Sequence, residues 1–235
     1  MAAAGTARDD DGAARQVAGR MAEAAGAWLE QLDPGQRQVA TGPAPGAGAS
    51  DAERRRWFYT PTDHGGLTLH QQRPAQQRAA MRLVASGLSE AGYVTVATVV
   101  GLENVLDRVE GFRARFDRER GRDPGLYFLR VFGRPGGREP WGWRFGGHHV
   151  SLNNLVVDGA LAATTPSFLG ADPASAPLLG GAVSRPLGAS RTSPVSWSGR
   201  CRPTWPAVRC CSTARPPTWS PPTAPRSRRG TARCR

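Results

Sequence analysis

The chain has 235 residues, 31 of them basic and 19 acidic, for a formal net charge of +12. Every cation is arginine, and lysine and isoleucine are both missing, which records the codon usage of a GC-rich gene before it records function. A hydrophobic fraction of 39% argues against a fully disordered chain, the lack of a long apolar run argues against a membrane span, and an acidic start (Asp9, Asp10, Asp11, Glu23) argues against a secretory leader, so a cytoplasmic protein is expected.

Helical spacing of Val17, Met21, Ala24, Ala25, Trp28, Leu29 and Leu32 predicts a helix from Asp11 to Leu32. Asp33-Pro34-Gly35 stops it and starts a short second helix. Residues 41–50 read as a loop, and Asp51–Trp57 as one or two helical turns before the extended Phe58-Tyr59-Thr60-Pro61. A further helix is expected from Pro74 to Leu88, burying Leu83, Val84 and Leu88. Ser89 then caps another, with Leu102, Leu106 and Val109 on one face. The charge-dense stretch from Arg113 to Arg122 reads as a solvated helix end and loop rather than a phosphate site.

Strand patterns follow. Leu126–Phe132 is one, Gly133–Gly137 a turn, and Trp141–Phe145 and His148–Val157 a hairpin about Gly146-Gly147, a pair free to take positive φ. That register opposes Phe145 to His148, Arg144 to His149 and Trp143 to Val150. Side chains alternate along a strand, so Trp141, Trp143, Phe145, Val150 and Leu152 share a core face, with His148 at its turn end. Arg144, His149, Ser151 and Asn153 share the other face. His148 and His149 then point apart and do not share a metal ion unless a bulge intervenes.

Charge is unevenly spread. Residues 190–235 hold ten arginines and no acid, leaving the first 189 residues at only +2. All four cysteines lie in this tail and leucine is missing from it. A zinc site is poorly supported, because Cys201, Cys210, Cys211 and Cys234 lack paired spacing and no histidine is near. One reading is a basic arm in which Trp197, Trp205 and Trp219 stack on nucleic-acid bases. The preferred reading is translation out of frame. Taking each residue's first two bases behind a preceding G or C turns Trp and Cys into Leu or Val and Thr into Asp or His. One such reading from Thr192 onward places apolar residues at helical spacing behind a capping Asp. The tail is therefore expected to be disordered, and nucleic acid is not the expected partner despite the net charge.

Together, FYTPTDHGGL, QRAAMRLVASGLSEAGYVTVATVVGLENVLDRVEG, DPGLYFLRVFGRPG, EPWGWRFGGHHVSLN and TPSFLGADP resemble a bacterial family, "domain of unknown function 3500", over roughly residues 10–189. The Trp141–Asn153 run is the most specific element. No activity follows from the resemblance. It implies a longer full-length protein with a later His-x-His block followed by an Arg-Asp pair, which nothing in this chain matches. A site uniting the His-bearing strand with those histidines is expected to be incomplete here. Residues 1–189 are thus read as a partial domain of the family, and 190–235 as the tail. The fold class expected is α+β, an N-terminal helical half packed on a small antiparallel sheet centred on residues 126–157.

Candidate chemistry centres on the His-bearing strand. His149 is the candidate acid/base and Arg144 the candidate anion clamp, with Ser151, Asn153, Tyr59 and Asp63 as candidate substrate-binding groups. A divalent transition metal held by His149 and His64 is a further candidate, which makes the expected function a His/Arg-centred, metal-assisted reaction on a small polar molecule. A ligand-binding or structural domain without catalysis is the alternative. No G-x-S-x-G elbow or G-x-G-x-x-G turn occurs, which argues against a serine hydrolase and a dinucleotide fold.

Overall fold

Hydrophobic spacing in the first hundred residues produces helices. In the computed structural model, which describes residues 5–46, 49–116, 118–177 and 183–188, α1 runs Gly5–Glu30. Ala18, Met21, Ala25 and Trp28 form its buried stripe, continued by Leu32 beyond its end. Asp33 caps α2 (Pro34–Ala40), accepting from the Gln36 backbone N–H, while the Gln36 side chain returns the bond to the Asp33 N–H. After β1 (Thr41–Gly42) come α3 (Ala49–Arg55), β2 (Leu67–Thr68) and a 3-10 turn at Leu69–Gln71. Helix α4 spans Pro74–Ser86, with proline in its first turn, and α5 spans Glu90–Val109 behind the Ser89 cap.

The second half supplies most of the strands: β3 (Phe128–Phe132), β4 (Trp141–Gly147), β5 (Val150–Val157), β6 (Ala160–Ala163) and β7 (Phe168–Leu169). With β1 and β2 they make a seven-stranded sheet ordered β1-β3-β4-β5-β6, β2 also pairing with β3 and β7 with β5. A separate pair, β8 (Ala176–Pro177) and β9 (Val183–Ser184), follows. The architecture is α+β. The main sheet is mixed rather than wholly antiparallel, because β1 runs parallel to β3. Val109 differs from its expected place on the buried face of α5: it lies at the helix end and is exposed. The expectation of a disordered tail concerns residues outside those described.

The two faces of the sheet have different cover. Trp141, Trp143, Phe145, Val150, Leu152 and Val156 share a core with Met21, Ala25 and Trp28 of α1 and Ala80, Leu83 and Val84 of α4. Approach is close at Gly87, where an added Cβ would lie 2.5 Å from the Trp143 ring. The opposite face carries Arg144, Ser151 and Asn153, all buried. Arg144 there binds the last turn of α3 and the segment that follows it. Its Nη1 donates to the carbonyls of Glu53 and Arg56, and its Nη2 to the Glu53 carboxylate and the carbonyls of His64 and Gly65. Burial lowers its pKa to about 10 against the pull of Glu53, so it stays cationic at neutral pH.

Candidate metal centre

The hairpin turn is displaced from the glycine pair. Gly146 and Gly147 belong to β4, and pairing closes with Gly147 opposite Val150, so His148 and His149 form the two-residue turn. Arg144 opposes Asn153 instead of His149, and Phe145 opposes Leu152 instead of His148. At the turn β4 runs two residues further than the glycines suggest, and β5 starts two residues later. An even slip preserves the sorting of faces, which is why the core face survives while the histidines leave the strands. His149 takes φ 60°, the left-handed conformation that lets the turn close.

This turn is held from several sides. His149 N–H donates to the Tyr59 carbonyl at 2.9 Å, and the His149 carbonyl accepts from Gly170 N–H at 2.8 Å. Tyr127 Oη donates to the His148 carbonyl at 2.7 Å. The buried His148 ring places Nδ1 2.6 Å from Glu103 Oε1 of α5. Arg122 comes within 3.4 Å of the same nitrogen, and a bidentate pair with Glu110 fixes it. The end of the Arg113–Arg122 stretch is thus buried against α5 rather than solvated.

Bringing the two histidines into a turn also brings them together. Their ring centroids are 4.2 Å apart. His148, His149 and Asp172 each offer one ligand atom, and these atoms lie within 4.8 Å of one another. Two imidazoles and one carboxylate suit zinc or ferrous iron and leave coordination positions open. Glu103 on His148 Nδ1 supplies the carboxylate that commonly orients a ligating imidazole, leaving Nε2 to bind. His149 Nδ1 is buried without a hydrogen-bond partner among the described residues. Burial lowers the His149 pKa, with His148 and Arg122 adding to the effect and Asp172 opposing it. The neutral ring that results is the ligating form.

Other candidates are placed elsewhere. His64, paired with His149 in the sequence reading, is not in the ligand-atom group: its ring stacks on Phe128, and Nε2 donates to the Thr60 carbonyl at 3.0 Å. Asp63 accepts from Gly65 N–H in a local turn. Both Nη groups of Arg144 are engaged by the 53–65 segment, so the structure gives it a bracing position and not one beside His149. Asn153 Nδ2 donates to the Pro166 carbonyl, whereas Ser151 Oγ and Asn153 Oδ1 are buried without partners among the described residues. Tyr59 does lie beside His149, ring edge to ring at 6.4 Å.

The family model described as "Protein of unknown function (DUF3500)" matches residues 14–195. The chain belongs to this family. Every residue of the candidate centre falls inside the family match, from Tyr59 to Asp172. No curated protein and no solved structure matches the chain. Among the described residues, no helix is long and apolar enough to cross a membrane.

Glu103, His148 and Asp172 are the site residues that sequence reasoning missed. For Glu103 a signal was present: it shares the α5 face of Val99, Leu102 and Leu106 at helical spacing, and a carboxylate on an apolar stripe needs a partner. The glycine pair concealed His148, and nothing local distinguishes Asp172 from other exposed acids.

Proposed function

We propose that this family member binds one divalent transition metal ion through His148, His149 and Asp172 and acts on a small molecule at the open coordination positions. The observation that carries the reading is the three-residue ligand group with Glu103 behind it. A bound ion would supply Lewis-acid activation of substrate or water. The protein's own part is to hold two imidazoles and a carboxylate in place. Glu103 orients His148, and the Tyr59 and Gly170 backbone groups fix His149. In this reading His149 is a ligand, and the acid/base role assigned to it from sequence passes to no identified residue. A cytoplasmic setting belongs to the same proposal.

A non-metal reading has one observation in its favour: the Glu103–His148 pair also ties the hairpin turn to α5. Titration of the purified chain with Zn²⁺ and Co²⁺ separates the two. One ion per chain is expected, with loss of binding in His148→Ala and Asp172→Ala; a folded wild-type protein that binds neither ion would sink the metal proposal.

A further inference from the structure

Three aromatic side chains cluster around His149. Trp57 and Phe168 have ring centroids 5.8 Å apart, Tyr59 and Phe168 5.6 Å, and Trp57 and Tyr59 6.3 Å. Interplanar angles of 33–45° tilt them against one another instead of stacking them face to face. Tyr59 and Phe168 each meet the His149 ring edge-on at 6.4 Å. Trp57 is 43% exposed and Tyr59 51%, although folding normally removes such rings from water. In a chain with 31 arginines, none of the described ones lies over these three rings, while five arginine–ring contacts occur elsewhere.

Backbone bonds couple this cluster to the candidate centre. The Tyr59 carbonyl and the Gly170 N–H both bind His149, so the loop bearing Trp57 and Tyr59 and the end of β7 bearing Phe168 are referenced to that residue. At Gly170 an added Cβ would lie 2.7 Å from His149 Nδ1 and 3.1 Å from the Phe168 ring, so the chain is packed directly against both. An apolar surface fixed against a ligand residue, next to open coordination positions, has the two parts of a small-molecule site: a body-binding wall and a head-binding centre.

Resting on the metal reading above, we infer that Trp57, Tyr59 and Phe168 form the substrate platform, and that the substrate joins a planar aromatic body to an oxygen-donor head group. The platform holds the ring while the head group occupies the open coordination positions. This sharpens the small polar molecule expected from sequence: polarity is confined to one end.

The probes are benzohydroxamate and acetohydroxamate, which share a chelating head and differ in the ring. Their affinities are measured on the full chain loaded with Co²⁺. Benzohydroxamate is expected to bind about tenfold more tightly, and the ratio should fall toward one in Trp57→Ala and Tyr59→Ala. Equal affinities on Co²⁺-loaded wild type overturn the platform and leave the metal reading standing. A ratio unchanged in both variants also overturns it, as does competition showing that a protein partner and not the small molecule occupies these rings. Failure of wild type to take up Co²⁺ overturns the metal reading and this inference together.

Discussion

Glu103 occupies a position where an apolar side chain would serve the helix equally well, and its carboxylate is spent on one imidazole nitrogen. As a positioning residue it should influence metal affinity without touching the ion. Glu103→Gln is expected to weaken Zn²⁺ binding about 10–100-fold, measured by competition with a chromogenic chelator, with near-normal unfolding by urea. Arg144 is the contrasting case. Arg144→Ala removes a buried donor shared by four carbonyls and one of the cations paired with Glu53, which keeps Arg130, and a loss of about 2–4 kcal/mol is expected in urea denaturation. His64 gives a pH dependence. Burial lowers its pKa from 6.5, with Arg144 and Arg56 adding to the effect and the Thr60 carbonyl and Asp63 opposing it. The unfolded chain therefore takes up this proton first as pH falls. The stability involved is whole above 6.5 and drains away as pH drops through the lowered value. His64→Phe should accordingly lose less stability than wild type between about pH 7 and about pH 5, read from urea midpoints.

At the scale of elements, the β4–β5 hairpin decides the site. Gly-Gly is a sound turn signal, yet here both glycines are strand residues, and a left-handed His149 closes the turn. Period-two alternation was legible because it is insensitive to an even slip; the turn was not, because burial on both faces let β4 continue through its glycines. Helices were more legible. Asp33 and Ser89 cap where their side chains predict, and the stripe of α1 follows its apolar spacing. Packing between elements could not be read from composition, and Gly87 illustrates why: its need for close approach depends on Trp143, far away in the chain. Gly87→Ala must push α4 and its sheet apart, and a loss of about 1–3 kcal/mol is expected, visible as a lower thermal midpoint.

Across the whole molecule, the sequence reading obtained an α+β fold and the family, but made the sheet wholly antiparallel because a two-residue strand such as β1 has no periodic signal. The candidate centre draws on residues from 59 to 172, and only its hairpin was marked by a local motif. Charge is unevenly placed at this scale, since ten of the arginines lie within residues 190–235. We propose, as the sequence suggested, that this segment is read out of frame. Sequencing the gene downstream of codon 189 tests it, with a leucine-bearing helix expected in another frame.

Arg144 has a consequence for tolerance to change. Its partners in the segment from residue 53 to residue 65 are, apart from one carboxylate, main-chain carbonyls, and those are chemically alike whatever amino acid bears them. The segment can therefore exchange many of its side chains and still be held, provided its path is kept. Much of the constraint on the loop has been moved onto one guanidinium in the neighbouring strand, with the His149 backbone N–H holding the loop again at Tyr59.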